Sequence, residues 1–183
     1  QAHGAVPRDG LGLVADITRN AGVPLAGRSV LLVGAGGAAA GVLGPLLRAG
    51  ARSIAITNRT PARADALAQA HAALALLQKT ELLVLDTQAL KADYDIIINA
   101  TASSLAGAGA PVPAQALRPG CLAYDMMYGP AAQGFLNWAQ AHGAVPRDGL
   151  GMLVEQAAES FLLWRGVRPP TAQVLAELRA GGA

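Results

Sequence analysis

Short uninterrupted apolar runs alternate along the chain with longer stretches in which apolar residues return every three or four positions. The runs are Ser29–Val33, Ser53–Thr57, Leu82–Leu85, Asp95–Asn99 and Cys121–Asp125, with a weaker sixth at Gly143–Pro146. Each is short and none alternates polar with apolar residues, as expected of strands covered on both faces of a parallel sheet. Between them the pattern predicts helices over Ala38–Arg48, Pro61–Ala73 and Gln133–Ala141, a short turn near Pro113–Leu117, and a closing pair over Leu150–Trp164 and Thr171–Ala180. Ahead of the first strand, Leu13, Val14 and Ile17 share one face of a helix within Leu11–Ala21, with Asp9 as its expected N-cap and Gly22 as its stop. This alternation predicts an α/β fold: three-layer, Rossmann-like and doubly wound, with a mainly parallel sheet of about six strands and helices on both faces.

Composition narrows the picture. The 183 residues are 52% hydrophobic and 14% charged, which suits one compact domain, or a small domain with an appendage. The formal charge of +2 comes without a basic run or aromatic–basic interleaving, so nucleic acid is not an expected partner. Cys121 is the single cysteine, which excludes an internal disulfide and makes a reducing cytoplasm the simplest expected compartment. No metal site is expected. With no initiator Met and no signal peptide, the chain is expected to begin inside a larger parent or after processing. Ser29–Leu47 is uncharged over nearly the length of a membrane helix. Its glycines and Pro45 divide it into strand, loop and helix instead, so no membrane span is expected.

The twelve residues QAHGAVPRDGLG at Gln1–Gly12 return without a mismatch at Gln140–Gly151. No other segment repeats at a fixed period, so this is not a repeat array. Residues 1–12 are read as a duplicated segment and 13–183 as one nucleotide-binding domain with C-terminal helices. Asp148 is expected to cap the helix after the second copy. Two copies of one strand segment cannot both fill one edge position, and Gly4–Pro7 of one chain could extend the sheet of another in a two-fold homodimer.

Candidate chemistry concentrates in VLLVGAGGAAAG, Val30–Gly41. Gly34, Gly36 and Ala39 fit G-x-G-x-x-A directly after a strand and at the start of a helix. The first glycine permits a tight turn, the second lets backbone approach a pyrophosphate, and the small third residue lets helix and strand pack closely. The anion would meet free N–H groups at the positive end of the helix. At the end of the second strand an NAD site usually places a carboxylate for the ribose 2′-hydroxyl. Here Asn58, Arg59 and Thr60 follow Thr57, with Arg63 one turn on. A guanidinium offers a bidentate fork for a 2′-phosphate, so NADP is the expected cofactor, the alternative for Arg59 being an exposed turn arginine.

The stretches GAGGAA, TNRTPARA, IINATASSL, AYDMMYGP and DGLGMLVEQAAESFLLWRGVRP resemble, in order and spacing, the NADP-binding C-terminal domain of shikimate dehydrogenases. The resemblance implies reduction of 3-dehydroshikimate to shikimate with NADPH, on the route to aromatic amino acids. It implies a dinucleotide loop at Gly34, Ala35, Gly36, Gly37, Ala38 and Ala39, and a 2′-phosphate clamp at Asn58, Arg59, Thr60 and Arg63. Asn99, Ala100, Thr101, Met126, Gly149 and Met152 would lie near the nicotinamide, and Tyr128 and Gln156 would reach the substrate. Without the motif around it, Met152 would read as core.

Departures from the family pattern are Ala40 where Arg is common, Ser104 where Gly is common, and Gln133-Gly134 where Thr-Pro is frequent. No segment matches the family's substrate domain with its carboxylate-binding serines and catalytic lysine, and Lys79 and Lys91 are expected to be solvated. Asp9 occupies the place of the family's catalytic aspartate, but with no lysine partner a helix cap is the favoured role. A shikimate-type substrate would therefore be expected only if the missing domain were supplied, and the chain alone is expected to be inactive. Without that partner, Leu11, Leu13, Leu150 and Leu153 are expected to form an apolar patch. The alternative is a segment-duplicated folding or assembly module with a vestigial nucleotide site.

Overall fold

The computed structural model describes the backbone of residues 8–102 and 110–182, with side chains from Gly10 onward in the first of these segments. Gly4–Pro7, Ser103 and Ser104 lie outside the described residues. Six parallel strands form one sheet: β1 (Ser29–Val33), β2 (Ser53–Thr57), β3 (Glu81–Val84), β4 (Ile96–Asn99), β5 (Leu122–Asp125) and β6 (Val145–Arg147). Their order, β3-β2-β1-β4-β5-β6, reverses direction between β1 and β4. That reversal is the switch point of a doubly wound sheet, where a crevice opens beyond the strand carboxyl ends.

Strand alternation divides the core into two layers. Val30, Leu32, Ile54, Ile56, Ile96, Ile98 and Tyr124 face the layer containing Leu13, Ile17, Val42, Leu43 and Met152. The intervening Leu31, Val33, Ala55, Ile97 and Ala123 face Leu90, Tyr94, Phe135 and Ala139. Helices on the first face are α1 (Arg8–Ala15), α2 (Gly37–Arg48), α3 (Pro61–Gln78) and α5 (Leu150–Arg165), with α4 (Pro130–Ala141) on the second. The last helix, α6 (Thr171–Ala180), packs on α5 through Leu175, Leu150 and Val154.

Several expectations change. α1 starts at Arg8, so Asp9 lies inside the first turn instead of capping it. The first helical segment also widens into a π turn over Asp16–Asn20, closed by Ala21 N–H on Asp16 O at 2.9 Å. Leu13 and Leu150 are buried, leaving only Leu11 and Leu153 of the expected apolar patch exposed. The N-cap of α5 is Gly149 and not Asp148, which lies one residue earlier, accepts from Leu150 N–H at 3.3 Å and takes a 2.8 Å hydrogen bond from Arg179 of α6. Lys79 and Lys91 are exposed as expected. Among the described residues no helix is long and apolar enough to cross a membrane.

Glycines let α1 lie close to its neighbours. A Cβ on Gly10 would stand 2.8 Å from Gly41 O of α2, and one on Gly12 would stand 2.6 Å from Met152 O of α5. Tightest of all is Gly151, where a Cβ would fall 2.0 Å from Asp16 Oδ1. Asp16 is fully buried. Arg147 grips it with two hydrogen bonds, from Nε at 3.0 Å and Nη2 at 2.6 Å, while Tyr124 OH donates at 2.7 Å and Asn20 Nδ2 at 2.8 Å. Burial alone would push the Asp16 carboxyl up, but the donors from Arg147, Tyr124 and Asn20 outweigh it and hold the group below its ordinary value. Burial and the neighbouring carboxylate push the Tyr124 phenol up, so it stays a donor.

Candidate dinucleotide site

A cleft of about 690 Å³ opens at the carboxyl ends of β1, β2 and β4. It brings together Gly34, Ala35 and Gly36 from the β1–α2 turn, Asn58, Arg59 and Arg63 from the β2–α3 turn, and Ala100 and Thr101 after β4. These eight were expected from sequence. The cleft also includes Val33, Thr57, Thr87, Ala102, Ala110 and Pro111, which were not. Thr57 and Thr87 hydrogen-bond through their hydroxyls at 2.9 Å, tying the end of β2 to the segment after β3.

The turn after β1 has the form its glycines require. Gly34 takes φ +109°, its N–H bonds Thr57 O at 2.8 Å, and a Cβ there would stand 3.1 Å from the Thr101 methyl and 3.2 Å from Ala100 O. Gly34→Ala is accordingly expected to cost about 1–3 kcal/mol of stability, measured by urea unfolding. Gly36, Gly37 and Ala38 are exposed at the start of α2, where backbone N–H groups are available to an anion. Ala39 instead turns inward and is fully buried in the helix–sheet core.

On the other side of the cleft, Asn58 Nδ2 donates to Thr60 O at 2.9 Å, shaping the approach to α3, whose first residue is Pro61. Arg59 and Arg63 are both exposed and flank this turn. No carboxylate is among the described cleft-lining residues. A doubly charged anion at this end would therefore meet two guanidinium groups and no repulsion from the lining.

The other expected residues surround an adjoining junction. Asn99 and Asp125 are fully buried register partners at the ends of β4 and β5. Gly149 N–H bonds Met127 O at 2.8 Å, and a Cβ on Gly149 would stand 2.3 Å from Met126 O. Met152 is buried in the core, with its side chain packed in the α1–α2–α5 layer. Tyr128 is exposed, and Gln156 is half-buried opposite Gly12 of α1. Met126, Tyr128, Gly149, Met152 and Gln156 do not line the cleft itself.

Residues 16–109 match the family model described as shikimate / quinate 5-dehydrogenase, and residues 149–179 match the shikimate 5'-dehydrogenase C-terminal domain. The chain is 79% identical over 172 residues to the shikimate dehydrogenase (NADP(+)) of Acidovorax ebreus, covering 94% of this chain and 61% of that protein. Among solved structures, an Ael1 enzyme from Pseudomonas putida superposes with a TM-score of 0.83 at 45% identity, covering 93% of this chain and 62% of that one. The Thermus thermophilus shikimate 5-dehydrogenase solved with NADP(H) and shikimate gives 0.75 at 30% identity, covering 95% and 62% respectively. The chain thus spans about three-fifths of the length of such relatives.

Proposed function

Because the chain belongs to the shikimate dehydrogenase family, we propose that it is the NADP(H)-binding part of an enzyme that interconverts 3-dehydroshikimate and shikimate. One observation carries this reading. The cleft joins a glycine turn at the head of a helix to two arginines at the end of the second strand, with no carboxylate in its lining. Gly34, Ala35 and Gly36 admit the pyrophosphate to the N–H groups that open α2. Arg59 and Arg63 take the 2′-phosphate, with Asn58 and Thr60 shaping the turn between them.

The dinucleotide, when bound, supplies the hydride. The chain's own residues orient it: Asn99, Ala100 and Thr101, with Met126, Gly149 and Met152 behind them, bound the reacting end. Tyr128 and Gln156 extend from the same side towards a substrate. Among the described cleft-lining residues there is no Asp, Glu, His, Cys, Lys or Tyr to pass the proton that must accompany hydride transfer, and Asp9 in α1 has no lysine beside it in the chain sequence. We therefore assign residues 13–183 the cofactor half of the reaction, with Tyr128 and Gln156 as their reach towards the substrate, and the remaining two-fifths of the relatives' length the proton chemistry and the rest of the substrate site. The match to the curated relatives favours this reading over a vestigial assembly module.

The test is reconstitution. The 183-residue chain is expected to give no shikimate-dependent reduction of NADP+ above background. Joined to the N-terminal part of the Acidovorax ebreus relative, it is expected to give turnover that requires both shikimate and NADP+. A correctly folded fusion that binds NADP+ but never turns over would contradict the assignment.

A further inference from the structure

The two walls of the junction beside the cleft are joined by an unbroken line of hydrogen bonds. Thr101 donates to Asn99 Oδ1 twice, from its backbone N–H at 3.1 Å and from its hydroxyl at 2.7 Å. Asn99 Nδ2 donates to Asp125 Oδ2 at 3.4 Å, and Asp125 Oδ1 accepts from Met127 N–H at 2.9 Å. Met127 O in turn accepts from Gly149 N–H at 2.8 Å. The line runs from the loop against Gly34, across two strand ends, to the start of α5. Asn99 and Asp125 have no exposed surface, so water cannot relieve a donor–donor conflict placed between them.

Resting on the NADP(H) reading, we propose that Asp125 is a positioning residue for the nicotinamide end of the dinucleotide. Its carboxylate accepts on both oxygens, which forces Asn99 to present its NH₂ to β5 and its oxygen to Thr101. That choice fixes Thr101 beside the glycine turn and holds the Met126–Tyr128 segment against Gly149. The adenosine end, gripped around Arg59 and Arg63, lies outside this network. Asp125 thus governs where the reacting ring sits and has no contact with the Arg59–Arg63 grip on the 2′-phosphate.

Asp125→Asn removes one acceptor at almost constant volume. If the new amide keeps its oxygen on Met127 N–H, its NH₂ meets the NH₂ of Asn99; if Asn99 flips to relieve this, its NH₂ meets the N–H of Thr101. One donor–donor conflict survives either way. The exchanged pair Asn99→Asp/Asp125→Asn satisfies every bond in the line, because the carboxylate accepts from Thr101 and from the amide at 125, whose oxygen accepts from Met127.

The experiment compares NADPH with 2′,5′-ADP, which lacks the nicotinamide, on the full chain. Asp125→Asn is expected to weaken NADPH about tenfold, roughly the cost of one unsatisfied buried group, while 2′,5′-ADP changes less than about twofold. The exchanged pair is expected to bring NADPH back to within about threefold of the unaltered chain. Unchanged NADPH binding in Asp125→Asn, equal losses for both ligands, or an exchanged pair no better than the single variant would each overturn the proposal. An unaltered chain that binds neither ligand would instead remove the nucleotide reading on which it rests.

Discussion

Asp16→Asn is expected to destabilise the chain by about 3–5 kcal/mol, because it leaves the half-buried Arg147 guanidinium without its counter-charge. For a domain of this size that corresponds to a fall in Tm of roughly 10–15 °C, readable by circular dichroism. Removing both charges with Asp16→Asn and Arg147→Met, which leaves an amide oxygen to accept from Tyr124, is expected to cost less than the single change, since the penalty lies in the orphaned charge more than in the lost pair. A single variant within about 1 kcal/mol of the unaltered chain would show that the pair is not the fastener between the π turn after α1 and β6. The sign of the pH dependence follows from the lowered pKa of Asp16 in the folded chain. Its contribution is present above the ordinary carboxyl value of 3.8 and is lost as pH falls through the lower folded-state value, so the gap between parent and variant should close in acid.

Arg59→Ala is expected to weaken NADP(H) by a factor of roughly 10–150, the loss of about 1.5–3 kcal/mol for a charge-assisted contact, while NAD(H) changes little. Arg63 stands on the same side of the cleft, so the double change Arg59→Ala/Arg63→Ala should remove the remaining preference between the two dinucleotides. The variants are expected to retain the parent's unfolding midpoint, because both side chains are exposed. Isothermal titration with each dinucleotide checks this, and equal losses for NADP(H) and NAD(H) would mean that Arg59 serves the shared part of the cofactor.

Legibility in the sequence followed burial. β1 and β2 lie where their uninterrupted apolar runs predict, because both faces of a central parallel strand are covered. β3 is at the sheet edge, where burial alternates, and its start moves to Glu81. α3 runs five residues beyond the expected Ala73 to Gln78, and the exposed Leu76 and Leu77 explain why periodicity failed there: these apolar residues do not mark the buried face. Its true stop is Lys79 in a left-handed conformation, a backbone signal that lysine does not advertise. α4 begins at Pro130 instead of Gln133, with proline in the first turn.

In the site, contiguous motifs were readable and their closure was not. Gly34–Gly36 and Asn58–Arg63 each carry local chemistry, whereas Thr87, Ala110 and Pro111 enter the cleft from segments without a motif. Met152 carries two readings at once: it follows the family motif, and its side chain is core. The Asp16–Arg147 pair was missed because its members are 131 residues apart, one looking like the polar side of an amphipathic helix and the other like an exposed edge residue. The matching glycine at position 151 gains meaning only from the contact that excludes its Cβ.

The most direct measurement is a paired titration of the unaltered chain with NADPH and NADH under one buffer and salt condition. Saturable binding of NADPH, at least about tenfold tighter than NADH, is the result expected of two guanidinium groups facing a 2′-phosphate with no carboxylate in the cleft lining. Superimposable curves for the two dinucleotides, or no saturable binding of NADPH by a folded chain, would contradict it.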